Sequence, residues 1–377
     1  MYKIEREFQI FAKPVGSLCN LHCNYCYYID NSDLIKVNQN SGMNDVLLET
    51  YIRQHIEATT ENVVMFSWHG GEPTLAGIDF YRKAVELEKK YLSAGKKLIN
   101  GVQTNGTLLN DDWCRFYAQE NFLVGISMDG PEEFHNKFRL KQNGKGTFND
   151  VINGYRLLQK YGVTAEILCV VNSSNAQFPL EIYRFFKSLN VRYITFLPLV
   201  ERKLGSPSEV TGKSVSAEAF GHFLIRIFDE WVEKDIGKIT VQIFEEALRS
   251  AFDEEHTLCI FKVNCGGVPV IESNGDFYSC DHFVNEEHYL GNISKNPVSY
   301  YLDCEKQQSF GMAKSLTLPE YCKKCVVLSM CNGECPKNRF IQTPDGEPGL
   351  NYLCAGYKKF FKHCMPLVDA VKLAAKN

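Results

Sequence analysis

No apolar run in this chain of 377 residues reaches the roughly 20 residues that a membrane-crossing helix needs, so a bilayer is not its expected setting. The amino-terminal segment, Met1 to Phe11, also lacks an uninterrupted apolar stretch. Lys3, Glu5, Arg6 and Glu7 break any signal-peptide pattern there. Strong charge is missing too, since the formal net charge is −4. There is no basic stripe and no run of Lys or Arg interleaved with aromatics, which argues against nucleic acid as a partner. A soluble, cytoplasmic protein is the expectation. The chain does not need disulfide staples either, because 45% of its residues are hydrophobic and can bury a proper core at this length. Its 15 cysteines therefore point to metal rather than cross-links.

Three of these cysteines fall in one short segment, Cys19-Asn20-Leu21-His22-Cys23-Asn24-Tyr25-Cys26. Three thiolates can hold three irons of a four-iron cubane, leaving the fourth iron open to a small molecule. Alternatives stand beside this reading: a zinc site with His22 as fourth ligand, disulfides in an oxidising compartment, or a buried structural trio. A second landmark follows at His69-Gly70-Gly71-Glu72-Pro73, where two glycines let backbone approach a ligand with no Cβ in the way. Read alone, that segment is also a plain strand-to-helix turn with Pro73 early in the helix.

The amino-terminal two-thirds alternates short β-rich runs with amphipathic stretches. Strands are expected at 8–15, 63–68, 98–104, 124–128, 165–171 and 193–198, and helices at 46–56, 81–92, 111–120, 151–161 and 179–189. Such alternation builds a parallel sheet, and six units fall short of the eight of a closed barrel. Chemistry in parallel α/β folds gathers at the carboxyl ends of strands. The cysteine loop, the Gly-Gly-Glu turn, Gln103-Thr104-Asn105-Gly106 and Ser127-Met128-Asp129-Gly130-Pro131 all lie at such ends. Residues 201–216 read as a polar loop, and Ser216 is placed to cap a helix carrying Phe220, Phe223, Leu224, Ile227, Phe228 and Trp231 at three-and-four spacing. That apolar face is expected to pack within the protein. A second helical stretch covers 241–252.

From Cys259 the composition changes. Cys259, Cys265, Cys280, Cys322, Cys325, Cys331, Cys335 and Cys354 make a set of eight, enough to ligate two cubanes completely. A Cys-x-x-Cys pair alone is equally a zinc or redox motif. Cys169 reads as a core residue, Cys114 as a helix residue, and Cys304 and Cys364 as non-ligands. Asp281, directly after Cys280, is either a local turn aspartate or a base held beside a cluster ligand.

The cysteine loop with Tyr25 before its last thiol, followed by Gly70-Gly71-Glu72-Pro73, resembles the radical S-adenosylmethionine (SAM) enzymes. The eight-cysteine region is similar to their SPASM extension. Lys13-Pro14, Trp68 to Pro73, Gln103 to Gly106, Ser127 to Pro131, the six-residue step from Cys259 to Cys265, and Cys280-Asp281-His282-Phe283 together resemble the anaerobic sulfatase-maturating enzymes over nearly the whole chain. The resemblance implies an α/β fold: a partial six-unit (β/α) barrel over 1–240 and a smaller iron–sulfur (SPASM) domain over 241–377. It implies SAM and three 4Fe-4S clusters. One cluster would sit on Cys19, Cys23 and Cys26, one on Cys259, Cys265, Cys280 and Cys335, and one on Cys322, Cys325, Cys331 and Cys354. SAM would be held by Leu21, Tyr25, Gly70, Gly71, Glu72, Ser127, Arg139 and Leu199, with Leu197 beside it as a second candidate near the adenine.

The implied activity is oxidation of a Cys or Ser side chain in a sulfatase segment, Cys/Ser-x-Pro-x-Arg, to Cα-formylglycine. A 5′-deoxyadenosyl radical would remove the Cβ hydrogen and Asp281 would take the proton. Tyr28 would face the substrate, and a low-potential ferredoxin or flavodoxin would supply electrons. His69 reads as a satisfied histidine near a turn. A related peptide maturase forming carbon–sulfur or carbon–carbon crosslinks, and a non-catalytic iron–sulfur or zinc scaffold, are the alternatives.

Overall fold

The structure, a computed structural model, describes residues 4, 6–30, 42–206 and 208–375. Lys3 and Glu5 of the amino-terminal segment and Pro207 of the connecting loop lie outside them. Six strands follow the expected order: β1 (Phe11–Ala12), β2 (Val63–Trp68), β3 (Lys97–Thr104), β4 (Leu123–Ser127), β5 (Ala165–Val171) and β6 (Tyr193–Pro198). A helix follows each of them. Among the described residues six more short strands come later: β7 (Thr240–Val241), β8 (Val270–Ile271), β9 (Asp276–Tyr278), β10 (Tyr289–Asn292), and the antiparallel pair β11 (Arg339–Gln342) and β12 (Pro348–Asn351).

The second, fifth and sixth strands match the sequence expectation residue for residue. The first is much shorter than 8–15. Pro14 has no N–H to give to a ladder, and Gly16 turns the chain at φ +59°. Pairing still reaches back along one side, because Gln9, Phe11 and Lys13 donate their backbone N–H to Gly267, Pro269 and Ile271. Asparagine side chains start two of the helices. Asn44 accepts from Leu47 N ahead of Asp45–Ala58, and Asn110 from Trp113 N ahead of Asp111–Gln119.

The chain packs as two compact units, each gathered from separate stretches: Met1–Ser127, Asn136–Ala165 and Gly266–Gly311 in the first, and Met128–His135, Glu166–Cys265 and Met312–Asn377 in the second. In the first unit the strand order is β10-β9-β8-β1-β2-β3-β4. β8 and β1 through β4 are parallel, with Phe11 opposite Ser67 and Ser67 opposite Gly101, while β9 and β10 return antiparallel. The core here is aromatic. Phe66, Trp68 and Tyr81 are fully buried, and Trp68 meets Tyr51 and Tyr81 edge-on. Trp68 Nε1 donates to Asn100 Oδ1 at 2.8 Å, and Asn100 Nδ2 donates to the buried Glu88 at 2.7 Å.

In the second unit β5, β6 and β7 run parallel. Ser216 caps the helix Ala217–Lys234 as expected, accepting from Ala219 N at 3.2 Å. All six of its spaced apolar residues are buried. They meet the helix Cys354–Ala374 through Phe220 on Tyr357 and Phe228 on Phe360, so this face is internal packing. The two helices cross at glycines: a Cβ on Gly356 would lie 2.1 Å from Ala217 O, and one on Gly221 2.7 Å from Gly356 Cα. Only hydrogen at both positions permits that approach. Among the described residues, no helix is long and apolar enough to cross a membrane.

Candidate active site and iron–sulfur sites

The cysteine loop leaves β1 at its carboxyl end and is held from two sides. On one side is the turn after β2. Gly71 N donates to Gly16 O at 2.9 Å, and Glu72 N to Leu18 O at 2.8 Å. A Cβ on Gly71 would stand 2.2 Å from Leu18 O, and one on Gly70 2.5 Å from Gly16 O. The space these glycines keep open is thus filled by the cysteine loop itself. On the other side His22 N and Asn24 N donate to Leu140 O and Phe138 O, at 2.8 and 2.9 Å. Gln142 Nε2 adds a bond to Leu21 O at 3.1 Å. The Tyr25 ring lies against Phe138 and 5.5 Å from the buried Arg139 guanidinium. Arg139 and Tyr25, read separately from the sequence, therefore come together.

Glu72 is fully buried, and its carboxylate is taken up by the protein. It accepts from Thr74 N and Oγ1 at 3.1 and 2.6 Å, from Thr104 Oγ1 at 2.7 Å and from Asn105 N at 2.7 Å. Burial raises its pKa and these bonds oppose the rise. Glu72 so ties the turn after β2 to the end of β3. Asn105 then reaches the cysteine loop, with Nδ2 3.8 Å from Cys19 Sγ and 2.9 Å from Asn20 Oδ1. Leu21 N also points at Cys19 Sγ, at 3.4 Å. Donors aimed at a sulfur favour its thiolate, the form that ligates iron. Burial works the other way and pushes the Cys19 thiol up to about 12. Ser127, at the end of β4, accepts from Gln103 Nε2 at 3.1 Å.

Asp281 belongs to this unit and is 8% exposed. Lys13 Nζ lies 2.7 Å from Asp281 Oδ1 and 2.7 Å from Glu272 Oε1. Tyr27 Oη donates to Asp281 Oδ2, and Tyr28 Oη to the same oxygen at 3.1 Å. The Lys13 ammonium also sits 4.7 Å from the Tyr28 ring centre. Burial alone would raise the Asp281 pKa; Lys13, His282 and the tyrosine outweigh it and hold the carboxyl well below its usual range. His69 stacks on Phe11 at 3.8 Å within the field of Asp281 and Lys13, and burial lowers it to about 4.

The second unit holds seven of the eight later cysteines, Cys280 being in the first. Cys322, Cys325, Cys331 and Cys354 line one cavity with Leu328 and Gly333. Among the described residues, no three His, Cys, Asp or Glu side chains gather as a single bound ion requires, whereas a cubane takes one thiolate on each iron. Asn332, Gly333 and Glu334 all have left-handed φ, of 45°, 71° and 52°, and carry the chain from Cys331 to Cys335. Arg339 holds this strained turn by donating to the carbonyls of Gly333, Asn332 and Glu334 at 2.8, 2.8 and 3.2 Å. Leu199 also lies in this unit, and its N–H donates to Val171 O. Cys169 and Cys364 are fully buried.

Parallel strands, a three-thiol loop braced at their carboxyl ends and a later run of cysteines define a radical SAM enzyme with an iron–sulfur extension. The model of the radical SAM superfamily matches residues 14–179, and that of the SPASM iron–sulfur cluster-binding domain residues 265–326. The chain is 46% identical to a serine-type anaerobic sulfatase-maturating enzyme of Bacteroides thetaiotaomicron, over 98% of this chain and 92% of that one. It is 34% identical to a cysteine-type enzyme of Clostridium perfringens, over 95% and 96%. The structure superposes with a TM-score of 0.88 and 31% identity on the maturating enzyme anSMEcpe with bound AdoMet and the Cp18Cys peptide, covering 98% of this chain and 100% of that one. The chain belongs to the anaerobic sulfatase-maturating enzymes. Its fold is the radical SAM partial barrel with a SPASM region at the carboxyl-terminal end, and its cofactors are SAM and 4Fe-4S clusters.

Four residues of the site escaped the sequence reading. Lys13 and Asn105 lie inside the segments Lys13-Pro14 and Gln103 to Gly106, whose pattern assigns neither residue a role. Tyr27 looked no different from its neighbours, and Glu272 carried no motif. A lysine just before Pro14 in an otherwise apolar strand was the one available signal, since lysine is almost never fully buried unless paired.

Proposed function

We propose that this chain oxidises a Ser or Cys side chain in a sulfatase segment of the form Cys/Ser-x-Pro-x-Arg to Cα-formylglycine, with Asp281 as the base. The observation that carries the assignment is the buried Asp281 carboxylate, bonded by Lys13, Tyr27 and Tyr28 in the unit that carries the three-cysteine loop. The relatives' names and the peptide-bound neighbour support a sulfatase peptide as substrate. Greater identity to the serine-type relative favours Ser.

Cys19, Cys23 and Cys26 are assigned to the SAM-binding cluster. The donors on Cys19 fit a thiolate there. Cys322, Cys325, Cys331 and Cys354, which share a cavity, are assigned to one auxiliary cluster, and Cys259, Cys265, Cys280 and Cys335 to the other. When bound, these groups supply one-electron chemistry: cleavage of SAM to a 5′-deoxyadenosyl radical at the first site, and an electron sink in the auxiliary region. The backbone of Gly70 and Gly71, with Leu21, Tyr25, Ser127, Arg139 and Leu199, would hold SAM. Arg139 suits its carboxylate, while Glu72 keeps the turn in place.

Lys13 keeps Asp281 ionised, so the carboxylate is ready to accept. A carboxylate so well paired is a weak base, yet a hydroxyl on a carbon radical is far more acidic than one on a saturated carbon. Once the Cβ hydrogen has gone, loss of the remaining electron from that carbon forms the carbonyl and drives the proton onto Asp281. Tyr28 packs over Lys13 and donates to Asp281, which places it to orient the substrate oxygen or sulfur.

The division into a barrel of residues 1–240 and an auxiliary-cluster region of 241–377 is proposed as a functional one. A low-potential ferredoxin or flavodoxin is the proposed electron donor. Thiol-ligated clusters need a reducing compartment, which favours the cytoplasm. The test uses anaerobically reconstituted protein, SAM, a reductant and paired Ser and Cys sulfatase peptides. Loss of two hydrogens from the Ser peptide, with 5′-deoxyadenosine released in step, is expected. Deoxyadenosine release without any peptide mass change would reject the proposal.

A further inference from the structure

The second unit sets a buried lysine and a half-buried arginine beside its thiols, and their hydrogen bonds go to backbone carbonyls. Lys314, in the helix Glu305–Leu316, is 1% exposed. Its Nζ donates to Cys259 O at 3.0 Å and Ile260 O at 2.8 Å. Cys259, Cys265 and Cys335 lie within its electrostatic reach. Arg339 spends its guanidinium on Gly333, Asn332 and Glu334, and on Lys314 O at 2.6 Å. Cys265, Cys322 and Cys331 all lie within its electrostatic reach. Glu334 is the carboxylate in the same field, and its Oε2 accepts from Asn338 and Asn351.

Burying a lysine whose partners are carbonyls is costly unless an anion faces it. Cys259, Cys265 and Cys335, the thiols facing Lys314, are the three members of one proposed auxiliary set that lie in this unit. A cubane held by four thiolates is an anion, and reduction adds one further negative charge. A fixed cation beside it stabilises the reduced form more than the oxidised form, which raises the reduction potential. We propose that Lys314 is the counter-cation of the auxiliary cluster held by Cys259, Cys265 and Cys335 and raises that cluster's reduction potential. Arg339 faces both sets and biases both. The inference rests on the proposed assignment of cysteines to clusters; it does not depend on which substrate is oxidised.

The test is a potentiometric titration followed by electron paramagnetic resonance, on full-length reconstituted protein without SAM or peptide. Lys314→Gln keeps a donor for the two carbonyls and removes the charge. With full iron, one auxiliary couple should move down, its reduced-to-oxidised ratio at fixed potential falling about tenfold, equal to 59 mV for a one-electron couple. The second auxiliary couple should hold, and Lys314→Arg should restore the first. Arg339→Gln is the second variant and should lower both couples. Unchanged potentials in either charge-removing variant that retains full iron overturn the proposal. If both charge-removing variants lose iron, retention in Lys314→Arg supports the counter-cation role, and loss in Lys314→Arg as well overturns it. Because no peptide is present, an inactive maturase with the expected shift would refute the proposed function and leave this inference standing.

Discussion

At the scale of single residues the site depends on pairing. The buried Asp281 and the half-buried Glu272 share the Lys13 ammonium, and two tyrosines complete the bonds of Asp281. Asp281→Asn keeps the shape and removes the proton acceptor. SAM cleavage should continue at close to its normal rate while formylglycine yield falls about 10²–10⁴-fold, the range typical of losing a general base. Product analysis by mass spectrometry checks this, and an unaffected yield would move the base elsewhere. Asp281 was legible in the sequence only through the resemblance of Cys280-Asp281-His282-Phe283 to the sulfatase-maturating enzymes, since alone it reads as a turn aspartate. Lys13, Tyr27 and Glu272 were not, because their roles arise from proximity across more than 250 positions of chain.

At the scale of elements, the cysteine loop is an insert braced by its neighbours. Gly71 touches the backbone of Ser17 and Leu18, which has no flexible end to give way. Gly71→Ala should displace the loop. Iron analysis would then show one cluster fewer per chain, with SAM cleavage abolished and the auxiliary signals retained. The Gly-Gly pair was visible in the sequence as backbone needing room; only the structure shows that the loop itself occupies that room.

The layer behind it carries a different liability. Glu88 in the helix Ile78–Tyr91 is bonded to Asn100 of β3, and burial pushes its pKa up to about 8 from 4.5. Its folded form holds the proton more tightly than the unfolded chain does. The associated stability is full below the unfolded pKa and is lost as pH rises through the folded one, a change on the order of 5 kcal/mol. The denaturation midpoint should therefore fall between about pH 5 and about pH 8, and Glu88→Gln should flatten that slope. Parallel slopes for the two proteins would rule Glu88 out as the cause.

At the scale of the whole molecule, sequence order and packing diverge. The first unit draws β8, β9 and β10 from beyond residue 265, and β8 pairs with β1 in parallel. A fragment of residues 1–240 loses these strands and leaves an edge of β1 unpaired beside the cysteine loop. It should be insoluble or bind no SAM-site cluster, which expression and iron analysis would show; a soluble fragment holding its cluster would contradict this packing. The sequence by itself determined the chemistry. The cysteine spacings, the Gly-Gly-Glu turn and the six-fold strand–helix alternation are local patterns, fixed by ligand count and by the two periodicities of buried faces. Those patterns placed β2, β5 and β6 to the residue and singled out Ser216 as a cap. Tertiary structure alone decided which charges meet. Lys13 faces Asp281 and Lys314 faces three thiols because a buried charge must find its partner in space, and contacts between distant residues leave no periodic trace along the chain.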